Sequence, residues 1–133
     1  MHKNFGRWLL ALALTIACLT LLPEQVQAAD ENGLTYAVSG GTVTITGCDA
    51  SATGELEIPT TIEDKPVTVI GAGAFSGCTG LTKVTVPAGV TQIGDDAFKG
   101  CTGLTEIRLP ASMRIIGWAA FAGCENLAEA YIE

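Results

Sequence analysis

The stretch VTVIGAGAFSGC, Val67 to Cys78, has the residue types of a nucleotide cradle: an apolar β-branched run followed by Gly71, Gly73 and Gly77. In a dinucleotide-binding turn, such glycines let the backbone approach a pyrophosphate at the start of a helix. Thiol chemistry is offered by Cys78, Cys101 and Cys124, evenly spaced along the chain, with Cys48 further upstream. Asp95-Asp96 puts two carboxylates side by side, the residue type that general acid and base catalysis needs. The only histidine is His2.

Each of these chemistries lacks a part. A Ser-His or Cys-His nucleophile has no imidazole base unless His2 is retained, and His2 lies in a segment expected to be removed. A glycosidase needs two opposed acids across a cleft, whereas an adjacent pair such as Asp95-Asp96 suits a solvated turn. Zinc calls for ligands converging from short paired spacings, and single cysteines set evenly and far apart do not supply them. No catalytic, cofactor-binding or metal-binding set is therefore expected, and the chain reads as a non-enzyme.

The glycines acquire another meaning once the sequence is compared with itself. Residues 67–89, VTVIGAGAFSGCTGLTKVTVPAG, and 90–112, VTQIGDDAFKGCTGLTEIRLPAS, are identical at 14 of 23 positions, and 113–133, MRIIGWAAFAGCENLAEAYIE, keeps the same spacing. The slot holding Gly73 holds Asp96 in the second copy and Ala119 in the third, so the middle glycine of a cofactor loop is not repeated. About ten residues separate Gly71 from the next strand pattern, too few for a crossover helix. Glycine here reads as a corner residue for a tight coil.

Large apolar residues recur in fixed slots: Phe75, Phe98 and Phe121; Leu81, Leu104 and Leu127; Ile70, Ile93 and Ile116; Val86, Leu109 and Ile132. No single copy can bury so many, but stacked copies lay each slot over its equivalent and merge them into one core. Thr82 to Val86 and its equivalents alternate with period two, so they read as parallel strands ended by Pro87 and Pro110. Cys78, Cys101 and Cys124 fall into the same ladder. They read as a reduced, buried column of small hydrophobes, although four cysteines outside the leader leave three disulfide connectivities open.

The string IGAGAFSGCTGLTKVTVP, repeated as IGDDAFKGCTGLTEIRLP, resembles the leucine-rich repeats of BspA-like bacterial surface proteins. The resemblance covers residues 67–133 and extends weakly to Glu55-Leu56-Glu57-Ile58-Pro59, with Glu63 to Pro66 as an insertion. It implies a secreted or wall-associated protein that uses its repeats for adhesion or recognition, without catalytic residues. The array is shorter than is usual for that family.

The expected architecture is a strand-rich leucine-rich-repeat solenoid with short helical turns and parallel stacked strands, capped at its N-terminus by a β-hairpin. Residues 29–66 supply the cap and a degenerate first repeat: LTYAVSGGTVTITG alternates on both sides of Ser39-Gly40-Gly41, a hairpin pattern. Residues 67–89, 90–112 and 113–133 supply three repeats, the last incomplete. Residues 1–28 read as a signal peptide, with basic His2, Lys3 and Arg7, an apolar Trp8 to Leu22, and small residues for cleavage near Ala28. The apolar run is short for a membrane span, so none is expected in the mature chain. Thr15-Ile16-Ala17-Cys18 only loosely imitates a lipoprotein signal.

Without Lys3, Arg7 and Glu24, five cations face thirteen carboxylates, a net charge of −8. That balance disfavours nucleic acid, which needs clustered cations. It suits an exported protein with an extracellular protein or glycan partner. The candidate binding face is the outward side of the strands. One column reads Glu55, Lys83, Glu106, Glu129 and its neighbour Glu57, Thr85, Arg108, Tyr131, with Trp118 at a corner as a second candidate. Cross-strand charges of alternating sign also account for this face without a ligand. The strand ending at Ile132 would be left uncovered, which marks the chain as the N-terminal part of a longer array or as a module whose edge another molecule closes.

Overall fold

The computed structural model describes residues 26–29 and 32–133; of the expected signal peptide, residues 1–28, all but 26–28 lie outside the described residues. The strands are β1 (Val26–Ala29), β2 (Leu34–Ser39), β3 (Thr42–Cys48), β4 (Gly54–Glu57), β5 (Thr61–Ile62), β6 (Lys65–Ile70), β7 (Leu81–Thr85), β8 (Gln92–Ile93), β9 (Glu106–Leu109), β10 (Ile115–Ile116) and β11 (Glu129–Ile132). They form two sheets, a seven-stranded one in the order β1-β2-β3-β6-β8-β10 with β5 on β6, and a four-stranded one in the order β11-β9-β7-β4.

The repeat length sets this topology. Each copy contributes one strand to each sheet, and equivalent strands pair in parallel: β6 with β8, β8 with β10, β7 with β9 and β9 with β11. Parallel partners cannot be joined by a tight turn, so each connection travels once around the coil. The second short strand of each copy, Gln92–Ile93 and its equivalents, goes beyond the one strand per repeat that alternation predicts.

The N-terminal hairpin turns through Gly40 and Gly41, at φ 59° and 81°, the left-handed values a two-residue hairpin turn needs. Its inward residues Leu34, Tyr36, Val43 and Ile45 are buried. β3 then pairs in parallel with β6, so the hairpin extends the sheet and covers the first coil. Ahead of the regular copies, β4 pairs with β7 and aligns Glu55 with Lys83 and Glu57 with Thr85. Cleavage near Ala28, as read from the sequence, would fall inside β1, which pairs Val26–Ala29 with the outer edge of β2.

The short helical turns are corrected: among the described residues there is no helix. In the segment from Ala72 to Cys78 the amides alternate in their use. Those of Ala74, Ser76 and Cys78 donate back three residues, to Gly71, Gly73 and Phe75. Those of Gly73, Phe75 and Gly77 donate to the next coil, at the carbonyls of Asp95, Ala97 and Lys99, over 2.7–2.9 Å. The second coil repeats this, with Asp96, Phe98 and Gly100 donating to Trp118, Ala120 and Ala122. A helix would consume every amide internally. Sharing every second amide with the neighbour instead gives each coil a third hydrogen-bonded side.

The corner reading of glycine holds for one slot and is corrected in another. Gly77, Gly100 and Gly123 have φ of 74–78°, where side chains are disfavoured. Gly71, Gly94 and Gly117 do not have positive φ; a Cβ on Gly94 would lie 2.5 Å from the Ala72 nitrogen, and one on Gly117 would lie 2.4 Å from the Asp95 nitrogen. These glycines exist because backbone meets backbone between coils. The slot of Gly73 keeps its left-handed conformation when occupied by Asp96 (φ 57°) and Ala119 (φ 55°).

Among the described residues the core contains only apolar side chains. The rings of Phe75 and Phe98 stack with centroids 4.9 Å apart, and those of Phe98 and Phe121 stack at 5.3 Å. Leu81, Leu104, Val84 and Ile107 are buried beside them, while Phe121, Cys124 and Leu127 of the third coil are only partly so. Full burial of each such side chain contributes roughly 1.5–3 kcal/mol. Ile115, Ile116 and Ile132, the last of them 74 % exposed, show where that benefit ends.

Candidate ligand-binding face

The four-stranded sheet turns alternate residues outward, and its register builds the two columns residue by residue. Glu55 aligns with Lys83, Lys83 with Glu106 and Glu106 with Glu129; Glu57 aligns with Thr85, Thr85 with Arg108 and Arg108 with Tyr131. Between them, Leu56, Val84 and Ile107 point inward, with Val84 and Ile107 fully buried. The face is rigid because its other side is the core.

Its charges are largely engaged with one another. Lys83 Nζ lies 3.5 Å from Glu106 and 3.9 Å from Glu55. Arg108 Nε donates to Glu106 Oε1 over 2.8 Å, and Arg108 Nη1 reaches Glu133 at 3.4 Å. The Arg108 guanidinium lies 5.4 Å from the centre of the Tyr131 ring, and the Tyr131 hydroxyl donates to Glu129. Glu133 is the member that sequence reading missed, since its slot holds Pro87 and Pro110 in the earlier copies.

The network sets the titration of its members. Arg108, by its hydrogen bond, and then Lys83 hold the Glu106 carboxyl below the usual carboxylate range. Glu106 in turn raises Arg108, and the hydrogen bond to Glu129 raises the Tyr131 phenol. A carboxylate depressed in the folded state adds stability above its unfolded pKa, about 4.3, and loses it as pH falls through the lower folded value. Wild type is therefore expected to melt above Glu106→Gln at pH 7, with the gap narrowing as pH falls below the unfolded carboxylate value of about 4.3. Thermal melts across that range check this.

The other candidates fall elsewhere. Trp118 is 80 % exposed on the turn side of the third coil, away from the sheet face. Asp95 Oδ1 accepts a hydrogen bond from the Trp118 amide of the next coil at 2.7 Å, whereas Asp96 lies 3.8 Å from Lys99 within its own coil, so the two carboxylates serve separate local contacts. The thiols of Cys48, Cys78, Cys101 and Cys124 are free. Cys101 Sγ donates to the Phe75 carbonyl and Cys124 Sγ to the Phe98 carbonyl, each at 3.0 Å. Burial pushes the Cys101 thiol up to about 12. Among the described residues no three His, Cys, Asp or Glu side chains come together to hold a metal, and no helix is long and apolar enough to cross a membrane.

Parallel strands from each coil, a repeating apolar frame and an outward sheet face define a leucine-rich-repeat solenoid. The chain belongs to the BspA type leucine-rich repeat family, whose profile matches residues 52–133. It is similar in structure to a leucine-rich cell surface protein from Faecalibacterium prausnitzii, with 28 % identity and a TM-score of 0.69 over 77 % of this chain and 29 % of that one. It is similar also to a leucine-rich repeat protein from Bacteroides ovatus, with 33 % identity and a TM-score of 0.66 over 74 % of this chain and 27 % of that one. A leucine-rich repeat protein from Bacteroides capillosus aligns over 80 % of this chain and 98 % of its own, with 27 % identity and a TM-score of 0.57. The chain thus spans less than a third of the first two relatives. Comparison with curated proteins found no match.

Proposed function

We propose that this chain is an exported, surface-located recognition module, directed by residues 1–28 as a signal peptide. In this reading its four-stranded sheet face binds an extracellular protein, with a glycan as the alternative ligand. The observation that carries it is the pairing of Arg108 and Tyr131 at the third-coil end of that face, both partly exposed and held by their neighbours. Arg and Tyr dominate recognition because each offers large contact area with a polar group, and a preordered pair loses little freedom on binding. Lys83, Thr85, Glu106 and Glu129 complete a polar rim. The cell-surface description of the Faecalibacterium relative supports the location. The exposed Ile115, Ile116 and Ile132, together with the span of the relatives, support a longer array in which this chain is the N-terminal part.

Binding arrays of extracellular proteins and glycans probed with wild type, Arg108→Ala and Tyr131→Ala test this. Each substitution is expected to weaken the ligand found by about 30-fold, the effect of losing roughly 2 kcal/mol at a hot spot. Unchanged affinity in both variants would sink this face as the binding site. A second reading is favoured by the closure of the ion pairs around Lys83 and Arg108: a spacer or accessory module presenting a further domain, indifferent to ligands. Absence of any ligand for the wild type selects it.

A further inference from the structure

The joint between the second and third coils is built differently from the joint before it. Gly80 and Gly103 share a slot in which a Cβ would lie 2.6 Å from the Ala52 oxygen and 2.3 Å from the Thr79 oxygen, respectively, and the third copy puts Asn126 there. A side chain in that slot cannot sit at the spacing of the earlier coils. The ring centroids widen in step, from 4.9 Å between Phe75 and Phe98 to 5.3 Å between Phe98 and Phe121. The core that backs β7 and β9 also thins behind β11, because the slot of Val84 and Ile107 passes to Ala130. Thr105 Oγ1 donates to the Thr82 carbonyl at 3.0 Å, and the next residue in that slot is Ala128, which has no hydroxyl. On the outer face Lys83 stands between Glu55 and Glu106, whereas Glu106 stands directly opposite Glu129. Like charges so aligned oppose the pairing of their strands.

Asn126, Ala128, Glu129 and Ala130 all lie in or beside β11. On the turn side the same joint is tight. Asp96, Phe98 and Gly100 donate to the carbonyls of Trp118, Ala120 and Ala122 at 2.8–3.0 Å, and the Trp118 amide donates to Asp95 Oδ1 at 2.7 Å. Asn126 Nδ2 donates to the Thr102 carbonyl at 2.6 Å, where the tied part meets the loosened one.

We propose that β11 is a hinged strand, which swings off β9 about the turn side of the third coil and is latched by Arg108. The latch is the reach of Arg108 Nη1 to Glu133 at 3.4 Å, with the guanidinium 5.4 Å from the centre of the Tyr131 ring. The seated strand is the ground state, and the swing carries Tyr131 and Glu133 away from Arg108. A ligand that grips Arg108 and Tyr131 together therefore holds β11 down, so seating of the strand regulates the face. That step rests on the reading of this face as the binding site; the swing itself does not.

Amide hydrogen exchange of the full chain, followed by NMR, tests the hinge without any ligand. Ala128, Glu129 and Glu133 donate across the joint on the β11 side, to the carbonyls of Thr105 and Leu109, while Phe98 and Gly100 donate across it on the turn side. The first set is expected to show protection factors roughly 100-fold lower than the second. Glu129→Lys, which places a cation opposite Glu106, and Ala130→Val, which refills the slot of Val84, are each expected to raise protection in the first set about tenfold and leave the second unchanged. Equal protection in the two sets overturns the hinge: both high means a fixed strand, and both low means fraying of the whole coil. Protection of Ala128, Glu129 and Glu133 that neither variant raises overturns it as well. The expected exchange pattern, found together with ligand affinity unchanged in Arg108→Ala and Tyr131→Ala, overturns the regulatory step and the binding face but not the hinge.

Discussion

Phe98→Ala is expected to lower the free energy of unfolding by ~3–5 kcal/mol, the range for deleting a fully buried aromatic ring. Phe98 has no solvent exposure and lies between two parallel rings, at interplanar angles of 2° and 6°. Truncation removes its own apolar area and both stacking contacts, and it leaves a gap that neither neighbour can fill, because Phe75 and Phe121 are fixed by their own coils. The same change at Phe121 is expected to cost about half as much, since that ring is already partly in water. Urea denaturation followed by circular dichroism gives both values. A loss under about 1 kcal/mol at Phe98, or equal losses at the two sites, would contradict a continuous core.

Gly94→Ala should be comparably severe, costing ~3 kcal/mol or more, the upper range for overpacking. The new methyl would meet the Ala72 nitrogen at 2.5 Å and the Gly71 carbonyl carbon at 2.8 Å. Those are backbone atoms of the preceding coil, and the Gly94 amide is also hydrogen-bonded to Ile70 O at 2.7 Å, so the coils cannot part without losing a bond. Gly77→Ala makes the informative contrast. Its φ is 78°, but nothing lies within 4 Å of the added methyl, so only the conformational penalty of about 1–2 kcal/mol applies. If Gly77→Ala proves more damaging than Gly94→Ala, the spacing between coils is set by turn geometry and not by contact.

The columns on the sheet face were legible because a fixed period turns sequence distance into spatial neighbourhood. Once Lys83, Glu106 and Glu129 share a slot, parallel pairing alone aligns them. The hairpin was legible for a local reason, alternation on both sides of Gly40-Gly41. What alternation could not reveal were strands of two residues, Gln92–Ile93 and Ile115–Ile116, which are too short to alternate. The turn segments look helical in sequence, yet every second amide leaves the segment, and a partner in the next coil, nearly a full repeat away, has no local signature. Gly94 and Gly77 look alike in sequence, although one is required by a neighbouring backbone and the other by its own dihedral angle.

Both the core and the proposed binding face depend on consecutive copies lying one over another with equivalent side chains in register. Through-space proton contacts among the phenylalanine rings, measured by NMR, test this most directly. Centroid separations of 4.9 and 5.3 Å predict strong contacts from Phe98 to both Phe75 and Phe121, and none between Phe75 and Phe121. Contacts between Phe75 and Phe121, or a Phe98 ring that touches neither, would contradict it.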